Sequence, residues 1–353
     1  MFFRSKSLIG IDIGSHSIKL LELTRSGSGA KLVRFAYVPL PPEAIVQGSF
    51  MNAPAISEAI REAYDKAGFK AKDVAASVSG HSVIVKRISL PRQSAEELSE
   101  TIRWEAEQYI PFDINEVHLD YQILQEATVD DQMDVLLVAA KKDLIDDYTS
   151  VITESGLNLA VMDVDAFALG NMYEFNYDIP EDKAVALVNI GASVININVI
   201  TNKIPIFTRD ITSGGNHYTE EVQKSLGISF EEAEQIKIGG GNDAAGTDVV
   251  PQEVEDAMRE VSETLLGEIQ RSLEFYRATT SDIPIAKVAL AGGSAHVPGL
   301  DKLFEERVEV PFEIIDPLAR VDIGSGVDEE RVKELGPALG VAIGLGLRRT
   351  DES

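Results

Sequence analysis

Two short glycine turns carry the residue types best suited to holding a polyphosphate. The first, Gly14-Ser15-His16, lies between the β-rich runs of residues 8–23, and the second, Gly191-Ala192-Ser193, lies within residues 186–197. A turn of this kind offers consecutive backbone N–H groups to an oxyanion, and glycine lets the oxygen approach with no Cβ in its way. Asp12, just ahead of the first turn, would point a carboxylate into the same space, where it suits the hydration shell of Mg2+ better than a phosphate. Ser17 follows the turn, and Lys19 lies far enough along the second strand to reach back toward phosphates as a point charge. In the second copy Asn189 replaces Asp12 and Gly191 replaces Gly14, with the spacing kept. An ordinary hairpin turn explains either copy alone. Two facing copies in one duplicated framework can clamp a polyphosphate between lobes.

A third element is the buried-strand pattern of residues 287–291 running into Gly292-Gly293-Ser294 and then a helix start. A nucleoside can lie against such a strand end, with the next helix N-terminus open to phosphate or ribose oxygens. A plain β-to-α turn explains one glycine there but less readily two. The glycines of residues 239–246 resemble a phosphate loop superficially. No strand precedes them and no Lys-Ser or Lys-Thr closes them, so a flexible connector is expected. Residues 336–346 read as a helix with small residues every four positions, a pattern suited to close helix packing. The sequence has no cysteine, and its five histidines are dispersed, which excludes disulfides and argues against a histidine metal cluster.

The elements that must position these turns come twice. Each hairpin is followed by a further strand, at residues 31–38 and 204–211, and then by a helical pattern, at 53–67 and 216–226. The spacing predicts a first-lobe core over 1–83, continued at 159–182 and by a C-terminal helix at 335–348. A second-lobe core is expected over 183–228 and 282–334. Between strands at 74–79 and 159–164 lies an expected inserted subdomain, 84–158: strand 82–90, helix 95–109, strands 117–125 and 133–140, and helix 142–155 ended by Gly156. A helical subdomain is expected over 229–281, with Val254, Met258, Val261, Leu265, Ile269 and Leu273 on one face. At 353 residues the chain suits two α/β lobes, each able to bury its own sheet. A net charge of −26 repels phosphate backbones and anionic headgroups, which makes nucleic acid a poor partner. No apolar run approaches the roughly 20 residues that span a bilayer. The start, Met1-Phe2-Phe3-Arg4-Ser5-Lys6, lacks the apolar stretch of a signal peptide and reads as a frayed end that can brush a membrane surface.

The order of these motifs resembles the actin, Hsp70 and hexokinase superfamily. The first phosphate loop falls at Asp12 to Lys19, a connecting helix starts at Asp165, the second loop falls at Asn189 to Ser193, the adenosine strand leads into Gly292, and a second connecting helix spans 336–346. The insertion in the first lobe is similar to the FtsA branch. Four segments resemble the PilM family of type IV pilus platform proteins: residues 12–23, 77–84, Trp104-Glu105-Ala106-Glu107-Gln108-Tyr109-Ile110-Pro111-Phe112, and 163–169. The resemblance covers essentially the whole chain. It implies an actin-like (ribonuclease H-like), duplicated two-lobe α/β fold with an FtsA-type inserted subdomain, binding ATP or ADP with Mg2+.

By the same resemblance Asp165 takes the place of the residue that positions the attacking water. Glu234 and Lys237 match an adenosine-contacting pair, although an exposed helix ion pair is an equal reading. Gly214-Gly215-Asn216 match a turn near the ribose, although helix capping by Asn216 explains it almost as well. The superfamily usually carries Asp where this chain has Asn189, and an amide adds no charge for Mg2+ and accepts no proton. At most slow ATPase activity is therefore expected. The resemblance further implies a cytoplasmic scaffold, peripheral to the inner membrane through partners. Those partners are the N-terminal peptide of PilN, other pilus platform proteins and the motor ATPases, and oligomerisation is open. The PilN groove is expected beside strand 82–90 and Tyr109-Ile110-Pro111-Phe112, although those aromatics can equally pack the subdomain's own core. An FtsA-like membrane filament and a small-molecule kinase are the alternatives. The filament reading is disfavoured because the sequence stops just after the connecting helix, and the kinase reading because Asp165 is the one candidate base.

Overall fold

The computed structural model describes residues 8–26, 29–125, 131–239, 252–279 and 283–349. The Met1 to Lys6 stretch and the glycine-rich connector beyond Gly239 lie outside the described residues. Strands β1 (Ile9–Ile13), β2 (Ser17–Ser26) and β3 (Gly29–Pro39) form an antiparallel meander with the expected Gly14 turn between the first two. A small ribbon, β4 (Ile45–Val46) and β5 (Ser49–Phe50), leads into α1 (Ala53–Ala67). The side chain of Asn52 caps α1 by accepting from the Ala55 N–H, and Gly68 in the left-handed region ends it. β6 (Asp73–Val78) then runs parallel to β1.

The chain next builds the insertion from β7 (Val83–Pro91), α2 (Ala95–Ala106), β8 (Val117–Gln125) and β9 (Gln132–Lys141), with β9 central in an antiparallel three-stranded sheet. A capping box between Ser94 and Glu97 starts α2. The apolar faces of these elements form a separate core around Leu98, Ile102, Val135 and Leu137, and Tyr109 and Phe112 pack against it. α3 (Lys142–Glu154) follows, then β10 (Asn158–Val164), parallel to β6. α3 was expected to belong to the insertion. Its Tyr148, Val151 and Ile152 instead pack into the first-lobe core with Ile56 and Ile60 of α1.

α4 (Asp165–Asn176) carries the chain into the second lobe. There β11 (Ala184–Ile190), β12 (Ile195–Thr201) and β13 (Ile204–Ile211) repeat the meander, and α5 (Gly215–Leu226) follows. α6 (Phe230–Lys237) and α7 (Gln252–Thr279) supply the expected helical segment, with Val254, Val261, Leu265, Ile269 and Leu273 buried on one face of α7. β14 (Ile285–Ala291) pairs parallel to β11, and α8 (Leu300–Arg307) leads to β15 (Phe312–Ile314) at the sheet edge. β16 (Val321–Ile323) was expected in the second lobe. It adds a parallel strand to β3 of the first sheet, pairing Val321 with Ala30 and Ile323 with Leu32. α9 (Glu329–Leu335), a 3-10 turn (Gly336–Leu339) and α10 (Gly340–Gly346) complete the order.

The central strands are buried on both faces, as helix-covered sheets require: every residue of β12 and all but one of β1 and β11 are buried. α4 and α10 lie between the two sheets. Leu21 and Leu32 from the first sheet, Leu187 and Ala289 from the second, and Leu169, Met172, Ala342 and Ile343 from the two helices share one core. The small residues of α10 are what allow this crossing. A Cβ on Gly344 would lie 1.7 Å from the Ala168 carbonyl oxygen, and one on Gly10 would lie 2.6 Å from the Gly346 nitrogen.

This packing separates two glycines that look alike in sequence. Gly344→Ala should destabilise the protein by about 3 kcal/mol, because backbone must move to admit the methyl group. Gly267, inside α7, has open space around its Cβ position, so Gly267→Ala should stabilise by about 1 kcal/mol through helix propensity. Denaturant midpoints of both variants check the pair, and equal effects would contradict the packing described.

Candidate functional site

The two glycine turns are closed by the same backbone bond. Gly14 donates its N–H to the Ser17 carbonyl at 3.1 Å, and Gly191 donates to the Val194 carbonyl at 3.0 Å. Strand register then places Asp12 opposite Lys19 and Asn189 opposite Asn196. Both pairs are bonded across their hairpin: Lys19 Nζ to Asp12 Oδ2 at 3.0 Å, and Asn189 Nδ2 to Asn196 Oδ1 at 2.9 Å. Asn196 is therefore the counterpart of Lys19. Sequence reasoning missed it, although the separation of seven residues is the same in both copies.

The second turn gathers most of the expected nucleoside contacts. Gly215 donates to the Gly191 carbonyl at 2.9 Å and Asn216 to the Ala192 carbonyl at 2.8 Å, while the Asn216 side chain donates to Ser193 Oγ at 3.2 Å. The N-cap of α5 is Gly214, with no side-chain bond, so Asn216 serves the turn and not the helix end. Ser294 Oγ donates to the same Gly191 carbonyl at 3.4 Å. Gly292 has φ +91° and its Cβ would lie 2.3 Å from the Ile190 carbonyl oxygen, so the fold requires glycine there. Gly293 meets nothing closer than the Ala338 side chain at 3.8 Å, which leaves it free of that requirement.

Glu234 and Lys237 form a buried pair at 2.6 Å, their side chains 14% and 9% exposed, so the exposed-ion-pair reading does not hold. Lys237 Nζ also donates to Thr219 Oγ1 at 3.1 Å and to the Gly215 carbonyl at 3.3 Å. Burial works against the Glu234 charge, but Lys237 and the Thr219 hydroxyl win and hold its carboxyl below the usual range. His16, on the first-lobe turn, feels this pair across the cleft. Its ring stays reachable by water, yet its protein surroundings desolvate it and lower its pKa, with Glu234 opposing and Lys237 and Lys19 adding to the shift. The two halves of the site thus face one another.

Asp165, the first residue of α4, accepts from Ser77 Oγ at 2.5 Å and is also held by Ser79. Burial, then the Asp12 carboxylate, push its carboxyl up to about 6 against those two bonds, with Asp210 adding to the rise. Asp210 on β13 was not among the expected residues. It accepts from Asn196 Nδ2 at 2.9 Å through Oδ1 and from the Gly80 N–H at 2.5 Å through Oδ2, and burial raises its pKa despite both bonds. Ser77, Ser79 and Gly80 belong to the 77–84 segment that the resemblance marked without a role, whereas Asp210 carries no motif, and the fold brings all four to the cleft. The residues fit a Mg-nucleotide: paired N–H turns, acceptors at Asp12 and Asn189, and a lysine whose Nζ lies 3.7 Å from the Cβ position of Gly14. Among the described residues no three His, Cys, Asp or Glu side chains are grouped to hold a bare metal ion, so a cation here would come with its own water or phosphate ligands. Two concavities around Glu174 and Lys203, at the far end of α4, share no residue with this set.

Comparison with known proteins places the whole architecture. The sequence profile of the family described as "Type IV pilus assembly protein PilM" matches residues 10–350. The solved PilM-PilN type IV pilus biogenesis complex superposes with a TM-score of 0.83 at 28% identity, over 98% of this chain and 98% of that one. MreB 5 of Spiroplasma citri, solved bound to AMPPNP, shares the fold with a TM-score of 0.50 at 11% identity, over 96% and 94% of the two chains. The cell division protein FtsA of Bacillus subtilis (strain 168) is 20% identical over 349 residues, covering 88% of this chain and 78% of that protein. The fold is actin-like, as the order of motifs implied.

The raised Asp165 pKa has a defined pH signature. A carboxyl lifted from 3.8 to about 6 favours its protonated form in the folded state, so its contribution to stability is full below pH 3.8 and is lost as pH rises through about 6. In nucleotide-free, Mg-free protein, Asp165→Asn should therefore match wild type near pH 4 and exceed it at pH 7 by on the order of 2 kcal/mol. Melting curves across that range measure the difference; a variant-minus-wild-type gap that ignores pH would rule out the burial described.

Proposed function

Because the chain belongs to the type IV pilus assembly protein PilM family, we propose that it is a nucleotide-loaded scaffold of pilus assembly. It holds Mg-ATP or Mg-ADP between its lobes and the N-terminal peptide of a PilN-type protein at its inserted subdomain. The observation that carries the nucleotide half is the pair of matching turns, with Gly215, Asn216, Ser294 and the buried Lys237–Glu234 pair converging on the second of them. The N–H groups of Ser15 and His16 and of Ala192 and Ser193 would hold phosphate oxygens, while Gly14 and Gly191, whose own N–H groups close the turns, leave room for the oxygens to approach and Lys19 lies beside the first turn. Asp12 and Asn189 would accept from water on Mg2+, while Gly215, Asn216, Glu234, Lys237 and Gly292 to Ser294 would border the nucleoside. Bound Mg2+ supplies charge neutralisation at the phosphates. Asp165 is the carboxylate we assign to orienting a water, and with an amide at Asn189 turnover is slow, so occupancy matters more than hydrolysis.

The similar solved structure is of a PilM-PilN complex, which supports the peptide half. β7 is an edge strand of the inserted sheet, able to lend main-chain hydrogen bonds to an extended peptide. Tyr109 and Phe112 are half-used by the subdomain core, and Lys86 and Lys141 lie over their rings. No helix among the described residues is long and apolar enough to cross a membrane; contact with the inner membrane through such partners is part of the same proposal.

Two measurements test the two halves separately. Mg-ATP at about a hundred times its Kd should stabilise nucleotide-stripped protein by about 2.7 kcal/mol, and Asp12→Ala should remove most of that gain at the same concentration. A melting temperature indifferent to Mg-ATP would end the nucleotide reading. A synthetic PilN-type N-terminal peptide should bind where its scrambled version does not, slowing amide exchange within residues 29–164. Slowing confined to residues 184–346 would move the partner site to the other lobe.

A further inference from the structure

The two hairpins differ in how their cross-strand pair is finished. In the first, Lys19 and Asp12 form an ion pair whose donor and acceptor roles are fixed by chemistry. In the second, Asn189 and Asn196 are both amides, and each can present either its oxygen or its NH2 to the other. Something outside the hairpin must choose. Asp210 stands directly opposite Asn196 in the β12–β13 ladder and bonds to its Nδ2 at 2.9 Å. The other Asp210 oxygen takes the Gly80 N–H from the first lobe at 2.5 Å, so both oxygens face donors and the carboxylate acts only as an acceptor.

We propose that Asp210 is a positioning residue of the cleft, which fixes the orientation of two asparagine amides and so makes Asn189 present an oxygen, not an NH2, to a metal-complexed nucleotide. An acceptor-only carboxylate forces the Asn196 NH2 toward itself and the Asn196 oxygen toward Asn189. The Asn189 NH2 must then donate to Asn196, which leaves the Asn189 Oδ1 as its remaining polar atom. The second hairpin thereby offers an acceptor where the first offers the Asp12 carboxylate, and two acceptors suit the water shell of a divalent cation. Each bond in the chain strengthens the next by polarisation. Gly80 anchors the far end: it has φ +92° and sits between β6 of the first-lobe sheet and β7 of the insertion. The same segment is held on its other side by Asp165 through Ser77 and Ser79. Asp210 therefore also joins the second phosphate hairpin to the root of the inserted subdomain.

The inference rests on the nucleotide reading above, and its test has one arm that needs no nucleotide. Asp210→Asn keeps an acceptor for the Gly80 N–H but turns a donor toward Asn196, so the Asn196 and Asn189 amides flip and the Asn189 NH2 loses its partner. In ligand-free protein, the side-chain amide protons of Asn189 should exchange with water at least about tenfold faster in Asp210→Asn than in wild type, read by NMR. In the second arm, wild type should bind ADP at least about tenfold more tightly with Mg2+ than without. Asp210→Asn should bring that ratio toward one while keeping metal-free ADP affinity, and Asn189→Asp in the same background should restore it, because a carboxylate has no NH2 to misplace. Unchanged Asn189 exchange overturns the proposal. So does an equal loss of affinity with and without Mg2+ that Asn189→Asp cannot rescue, since that is what a merely structural Asp210 would give. Faster Asn189 exchange in a protein that binds no ADP upholds the amide orientation and removes the nucleotide reading instead.

Discussion

The site depends on a contact that has no room for a methyl group. α10 crosses α4 at Gly344 and Ala168 and lies on β1 at Gly346 and Gly10, and at both places a Cβ would fall inside a backbone atom's radius. β1 carries Asp12 to the first turn, and α4 begins with Asp165. The two carboxylates are thus registered to one helix, and close packing keeps their separation from drifting. The crossing also restricts how the lobes can move. Sliding would drive Cα atoms into carbonyl oxygens, whereas rotation about the contact preserves it.

The parts of this arrangement that were legible in sequence are those written in contiguous residues. The glycine turns, their flanking strands, the start of α4 at Asp165 and the apolar face of α7 each announce themselves within a dozen or so positions. What escaped is what lies between residues far apart. Asp210 meets Gly80 across the cleft and Asp165 meets Ser77, and neither pairing leaves a periodicity or spacing to read. α3 was assigned to the insertion because it follows the insertion's last strand, but its apolar residues match a groove beside α1 that only the folded first lobe creates. Gly292 and Gly293 looked equivalent, and only the approach of Ile190 shows that one of them answers to backbone geometry.

Under the proposed function a strongly acidic chain would have to attract a polyanion. The whole protein carries a charge of −26, and both lysines of the site are already matched, Lys19 by Asp12 and Lys237 by Glu234. These two side chains are therefore not free cations for a ligand. In the proposed reading the attraction would rest on oriented N–H groups at two turns and on a divalent cation brought with the ligand, both of which act over a few ångströms and would leave the outer surface acidic. A surface of that kind would discourage stray anions while the pair of turns accepted one particular shape.

The pairing of β16 with β3 bears on how the molecule comes into being. The first lobe's sheet receives its sixth strand from residues 321–323 and its covering helix from residues 340–346, after the entire second lobe in the order of synthesis. On the ribosome, β3 emerges before β16, and its outer edge stays open until residues 321–323 have been made. The second lobe, from β11 to β15, is by contrast contiguous, and its sheet closes as it is made. The strand set of the second sheet is therefore complete before that of the first, while both sheets wait for α10 to close the core they share.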